Sequence, residues 1–294
     1  MPISSAVDGF RLAYDRYGTP SPACPAVVLL HGWPGDRSDH TEVAALLAGR
    51  FDVVVPDLRG FGESDKHRQD PCRYYDRAAQ ARSIAGLVEE LGISRLVVAG
   101  YDVGSRVAQH LAKTRPDLVR ALVVTPPAPG VGRRIAAPKP MEEFWYQWFH
   151  QLELAEELVD GNPDAARAYL RHFWTRWSGP EFALDPQRLE HLASAYGRPG
   201  AFAASISWYR AGGGSVASAL AEVAPDPAER LAVPTSFLWP ERDPLFPVEW
   251  SDRLGDFFGD VSVEPVGGVG HFVPVEAPET FARAVREAAE AHGA

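Results

Sequence analysis

The stretch Arg95-Leu-Val-Val-Ala-Gly-Tyr-Asp102-Val-Gly-Ser-Arg-Val-Ala-Gln-His-Leu-Ala112 decides how the chain is read. Residues 96–99 are apolar and partly β-branched, the pattern of a buried strand. From Ser105 onward, Val107, Ala108, Leu111 and Ala112 recur at helical spacing. Between the two lies Gly100-Tyr101-Asp102-Val103-Gly104. A strand that turns this abruptly into a helix strains the dihedrals of its central residue. The positions two before and two after must be small, because strand and helix nearly touch. The strain lifts the central side chain clear of the sheet. Amides at the helix start face the same spot and stabilise negative charge there. The central residue is Asp102; Ser105 stands three positions out of register.

A carboxylate in that place narrows the chemistry. It attacks carbon without prior deprotonation and leaves an alkyl ester on the chain, which water must then open. The second step needs a His to activate the water and an acid to orient that His.

The chain has 294 residues, 46% of them hydrophobic, which suits one large α/β domain or a core with one insertion. A net charge of −10 argues against nucleic acid or an anionic membrane as partner. Cys24 and Cys72 lie in proline-flanked, loop-like segments and suggest neither a disulfide framework nor a metal site. The first eight residues carry no basic region and no apolar core of a leader, and no apolar run approaches spanning length. A soluble cytoplasmic protein is expected, and a homodimer is compatible with the sequence.

Buried strands are predicted at residues 26–30, 51–55, 96–99, 121–125, 234–239 and 261–266, with an edge strand at 10–17. Helices are predicted between them, among them 75–91, ended by Gly92, and a last one from Pro278. This alternation implies βαβ units and a mostly parallel sheet with helices on both faces. After residues 26–30 comes His31-Gly-Trp-Pro-Gly35, a turn that exposes backbone amides. The Trp33 amide would pair with that of Val103 as an oxyanion hole. Asp57 and Arg59 are expected to make a structural ion pair or loop contacts, with no catalytic role. Strand signals stop after Thr125, and from Met141 to about Ala221 helical periodicity dominates, with Trp145, Trp148, Trp174, Trp177 and Trp208. This predicts a helical lid at 130–227 between core segments 1–129 and 228–294. Its aromatics are expected mostly in packing, with a few lining an apolar pocket. Asp243 and His271 each follow a strand, so the chain order is nucleophile, acid, His. Open parallel sheets place their ligands at those strand ends.

His31-Gly-Trp-Pro, Asp57-Leu-Arg-Gly-Phe-Gly-Glu-Ser64, the Asp-centred turn, Asp243 and Gly270-His271-Phe272 together resemble the α/β-hydrolase fold over essentially the full length. Within it the chain resembles the epoxide hydrolase family. That resemblance implies Asp102 as nucleophile, His271 as the base that activates water and Asp243 as its orienting acid. It implies two lid tyrosines that hold and protonate the epoxide oxygen. Tyr146 in Phe144-Trp-Tyr146-Gln-Trp-Phe and Tyr209 in Ser207-Trp-Tyr209-Arg match those segments. Gln147, Trp148 and Trp208 are the expected substrate contacts, the substrate a small apolar or aromatic epoxide, the product a vicinal diol, with no metal or organic cofactor. The chain is also similar to haloalkane and fluoroacetate dehalogenases, which share the Asp nucleophile. The former usually carry Trp directly after it, where Val103 stands here. The latter place Arg there and a His beside the lid Tyr, where this chain has Gln147, although Arg106 matches their second arginine. A non-catalytic ligand-binding member of the fold is the third reading.

Overall fold

The β-branched runs form one seven-stranded sheet in the computed structural model, which describes residues 1–19 and 26–292. Its strands are β1 (Tyr14–Tyr17), β2 (Ala26–Leu30), β3 (Asp52–Pro56), β4 (Leu96–Gly100), β5 (Val119–Val124), β6 (Thr235–Pro240) and β7 (Val261–Val266). They lie in the order β1-β3-β2-β4-β5-β6-β7. β1 is antiparallel to β3 and all other pairs are parallel. Side chains alternate between faces, so each strand feeds two cores. Val27, Leu29, Val53, Val55, Val97 and Ala99 pack with Val43, Leu47, Phe281 and Val285 of helices Thr41–Leu47 and Pro278–His292. Val28, Leu30, Val54, Leu96 and Val98 pack with Ile84, Val88, Val107 and Leu111 of helices Arg77–Glu90 and Val103–Thr114. Burial on both faces explains why the strands read as continuous apolar runs. Each fully buried Val or Leu contributes about 1.5–3 kcal/mol.

Register sets the site. β2 and β4 pair in step from Ala26 opposite Leu96 to Leu30 opposite Gly100. Their carboxyl ends are therefore level, and the loop after β2 lies against the turn after β4.

Two elements differ from the sequence pattern. The edge strand starts only at Tyr14, because residues 3–13 fold back on themselves through isolated bridges between Ile3 and Ala13 and between Val7 and Phe10. The helix predicted over 75–91 begins at Arg77, where the Asp76 side chain caps it by accepting from the Ala79 amide. Cys72 is exposed; Cys24 lies outside the described residues.

Between β5 and β6 the described chain holds helices and no strand. Two of these helices, Pro163–Trp177 and Pro186–Tyr196, start on Asn162 and Asp185, each capping side chain followed by a proline whose fixed φ suits the first helical position. They dock on the loop after β2. Trp174 Nε1 donates to the Pro34 carbonyl at 3.1 Å and Tyr196 Oη to that of Gly35 at 2.7 Å. Arg188 pairs with Asp39 at 2.6 Å and His191 with Asp36 at 2.7 Å. The helical segment thus covers the carboxyl ends of the strands. Among the described residues no helix is long and apolar enough to cross a membrane.

Candidate active site

Asp102 has φ 49° and ψ −117°, and only one other non-glycine described residue, Asp8, has positive φ. That backbone is costly for a residue with a Cβ and persists only when its surroundings enforce it. Here the enforcement is steric. A Cβ on Gly100 would lie 2.8 Å from the Gly104 carbonyl carbon, and one on Gly104 would lie 2.1 Å from the Leu30 carbonyl oxygen. A Cβ on Gly32 would lie 2.5 Å from that of Asp102. Strand, helix and the neighbouring loop therefore meet at a point that admits only hydrogen at these three positions.

The Trp33 amide donates to Asp102 Oδ1 at 2.8 Å. One carboxylate oxygen thus already occupies a donor site before any reaction. Val103 opens the helix, where first-turn amides have no partner within the helix. The loop bearing Trp33 is braced by His31, whose Nε2 accepts from the Leu58 amide at 3.0 Å and whose Nδ1 lies 2.9 Å from the Gly32 carbonyl. Asp57 and Arg59 do not pair with each other. Asp57 accepts from the Arg37 and Glu63 amides, and Arg59 is buried against Ser83, Tyr74, Val7 and Asp8.

His271 Nδ1 lies 2.8 Å from Asp243 Oδ2, and His271 Nε2 lies 3.4 Å from Asp102 Oδ2. The other Asp243 oxygen accepts from the Leu245 amide at 2.8 Å, which fixes the carboxylate. His271 is 1% exposed. Burial alone would lower its pKa, but the charge of Asp243 and the contacts with Asp102 outweigh it and push it up to about 10. The ring is therefore an imidazolium between two carboxylates at neutral pH.

Tyr146 and Tyr209 meet above this chain of groups, with ring centroids 5.5 Å apart at 87°. Tyr146 stacks on Trp33 at 5.4 Å with the rings 4° from parallel. The Tyr146 oxygen accepts from Gln147 Nε2 at 3.1 Å, and the Tyr146 and Tyr209 hydroxyls are hydrogen-bonded to each other. Burial and the Asp102 charge push both phenols up, which keeps them protonated. Gln147 is clamped, its Oε1 accepting from the Val216 amide at 3.1 Å. Trp148 is 58% exposed and lines, with Gln147 and Tyr209, an outer cavity of about 330 Å³. Trp208 is buried against Gly213. Asp102, His271, Asp243, Trp33, Tyr146 and Tyr209 are thus brought together, while Gln147 supports Tyr146 and Trp148 faces outward.

The sequence matches the α/β-hydrolase fold family over residues 25–278. The chain belongs to this family. The soluble epoxide hydrolase of Corynebacterium sp. (strain C12) is 28% identical to this α/β-hydrolase, covering 93% of this chain and 91% of that one. The fluoroacetate dehalogenase of Burkholderia sp. is 32% identical over 64% of this chain and 63% of its own. The structure of epoxide hydrolase CorEH without ligand superposes with a TM-score of 0.83 over 99% of both chains at 24% identity, a likeness of fold. Family and geometry together make the protein a hydrolase.

Sequence reasoning did not single out Trp177 or Phe246 in this α/β-hydrolase. Trp177 ends helix Pro163–Trp177 and its ring lies 5.4 Å from His271 and 5.2 Å from Tyr146. Phe246 stacks near the other side of His271, 6.4 Å away. Both are ordinary aromatics in sequence; Phe246 stands three residues after Asp243, and Trp177 carries no such signal.

Proposed function

We propose that the protein is an epoxide hydrolase that works through an alkyl ester on Asp102. The observation that carries this reading is the pair of joined phenols above the nucleophile, because an epoxide oxygen becomes an alkoxide on opening and needs a proton donor. The names of the soluble epoxide hydrolase relatives support it. The helical segment 130–227 serves as the lid, between core segments 1–129 and 228–294, and its aromatics suit a small apolar or aromatic epoxide.

Asp102 Oδ2 forms a bond to an epoxide carbon while the carbon–oxygen bond breaks. Tyr146 protonates the leaving oxygen, assisted by Tyr209. Esterification removes the charge of Asp102, so His271 loses one of the two carboxylates that raise its proton affinity. Its proton passes to the tyrosinate and leaves a neutral base. His271 then takes a proton from water, and the hydroxide adds to the ester carbonyl, whose oxygen lies on the Trp33 and Val103 amides. Collapse releases the vicinal diol and restores carboxylate and imidazolium.

Haloalkane chemistry would lack the indole that usually follows the nucleophile. Arg106, which a fluoroacetate dehalogenase would turn on its substrate, opens on a cavity lined by Arg77, Gln109, His110 and Lys113, with none of Asp102, His271, Tyr146 or Tyr209 in its wall. A single turnover of styrene oxide in ¹⁸O-water with excess protein tests the proposal. The diol should carry no label and the Asp102 peptide should gain it; label in the first-turnover diol would mean direct attack by water.

A further inference from the structure

One half-buried carboxylate beside the site takes no part in these steps. Glu276 ends the short helix Val273–Glu276, and no cation of the described residues forms an ion pair with it. Its oxygens accept three backbone amides instead. Oε2 accepts from Gly179 at 2.7 Å and Gly270 at 2.9 Å, and Oε1 from Phe272 at 3.0 Å. Gly270 and Phe272 flank His271, whereas Gly179 belongs to the lid, two residues beyond Trp177. A further bond closes the same ring, from the His271 amide to the Trp177 carbonyl at 2.7 Å. The approach is tight from both sides. A Cβ on Gly179 would lie 2.2 Å from the Gly268 carbonyl oxygen, and one on Gly270 would lie 2.3 Å from that of Trp177. Burial pushes the Glu276 carboxyl up against the three amides that pull it down. A carboxylate that is partly withdrawn from water without a cation is stabilised by such charge-assisted bonds.

The geometry points to Glu276 as a positioning residue that locks the His271 loop to the docked lid, so that ester hydrolysis depends on it and ester formation does not. The inference rests on the ester mechanism proposed above. The stretch Gly267-Gly-Val-Gly270 before His271 is rich in glycine, and its one side chain, Val269, packs on the core while the Val269 carbonyl accepts from the Arg242 amide at 2.9 Å. Gly270 and the His271 amide themselves are held by the carboxylate and the lid. An imidazole that must meet a water and an ester carbonyl tolerates only a small displacement. Asp102 is held separately by its own turn and the Trp33 amide, and Tyr146 by Gln147. Neither support touches Glu276.

Two variants cut the link from opposite ends. Glu276→Gln keeps the volume but turns an NH₂ toward one of the three amides. Gly179→Ala drives a Cβ into the Gly268 carbonyl from the lid side. Rapid-quench intact-mass spectrometry with styrene oxide reads ester formation and breakdown separately in the wild type and both variants. The expected result is ester formation within about twofold of wild type and breakdown slowed at least tenfold, with the adduct accumulating during turnover. A merely structural role would slow both half-reactions together or neither, and either result overturns the inference. If the ester forms in all three proteins and breaks down at one common rate, Glu276 has no such role and the proposed function stands. No ester in any of them overturns the proposed function and the role of Glu276 with it.

Discussion

Removing the charge of Asp102 while keeping its shape should release the proton on His271. In the free protein the ring lies 2.8 Å from Asp243 and 3.4 Å from Asp102. At an effective dielectric of about 20, unit charges 3.4 Å apart attract by about 5 kcal/mol, and delocalisation over both groups brings this to about 3–5 kcal/mol. Each factor of ten in proton affinity is about 1.4 kcal/mol. Asp102→Asn should therefore carry the His271 pKa from about 10 to between roughly 6.5 and 8. The assay is a ¹H–¹⁵N NMR titration of the imidazole in the wild type and the variant. A His whose folded pKa is raised contributes fully below its unfolded value of about 6.5, and the contribution fades as pH rises through about 10. The variant should lose most of this pH dependence. If its ring still titrates near 10, Asp243 alone holds the proton, and esterification of Asp102 cannot free a base.

Three further outcomes can be checked. Tyr146→Phe removes the acceptor of the buried Gln147 amide, so it should cost about 1–3 kcal/mol in denaturant stability, with Tyr146→Phe and Tyr209→Phe each slowing epoxide opening and the pair nearly stopping it; equal, parent-like opening rates would contradict this. Gly104→Ala puts a Cβ 2.1 Å from the Leu30 carbonyl oxygen and should destabilise by about 3 kcal/mol or more in urea unfolding, with loss of activity, whereas parent-like stability would remove the steric account of the turn. His191 has its pKa raised first by its hydrogen bond to Asp36, so this latch is present below the ordinary imidazole value and fades as pH rises through the raised one. Because the ring is half exposed, His191→Gln should cost about 0.5–1 kcal/mol at pH 6 and almost nothing at pH 9; identical Tm–pH curves would show that the latch is not in use.

The parts legible in the sequence are those whose physics is local. The glycines two before and two after Asp102 announce the close approach, and the apolar runs announce strands buried on both faces. The order of Asp102, Asp243 and His271 is readable because each follows a strand end. Contacts made at long range carry no such mark. Trp177 reaches His271 across more than ninety residues, and its neighbours in sequence do not distinguish it from Trp174. Gln147 reads as a substrate contact from its neighbour Tyr146, yet its amide is committed to Val216 and the phenol. Trp148, one residue on, is carried by the turn of its helix to the outer surface. Local capping explains the late helix start at Arg77, since Asp76 competes for the backbone where periodicity alone would continue.

The central claim is a covalent ester on Asp102 formed by opening an epoxide. It is tested most directly by the intact mass of His271→Gln after incubation with styrene oxide, then with haloalkanes and haloacids. Loss of the base should leave alkylation and block hydrolysis, so the protein should gain the whole mass of the epoxide, located on the Asp102 peptide. An adduct from a haloacid or haloalkane, lighter than the reagent by hydrogen halide, with none from any epoxide, would contradict the account.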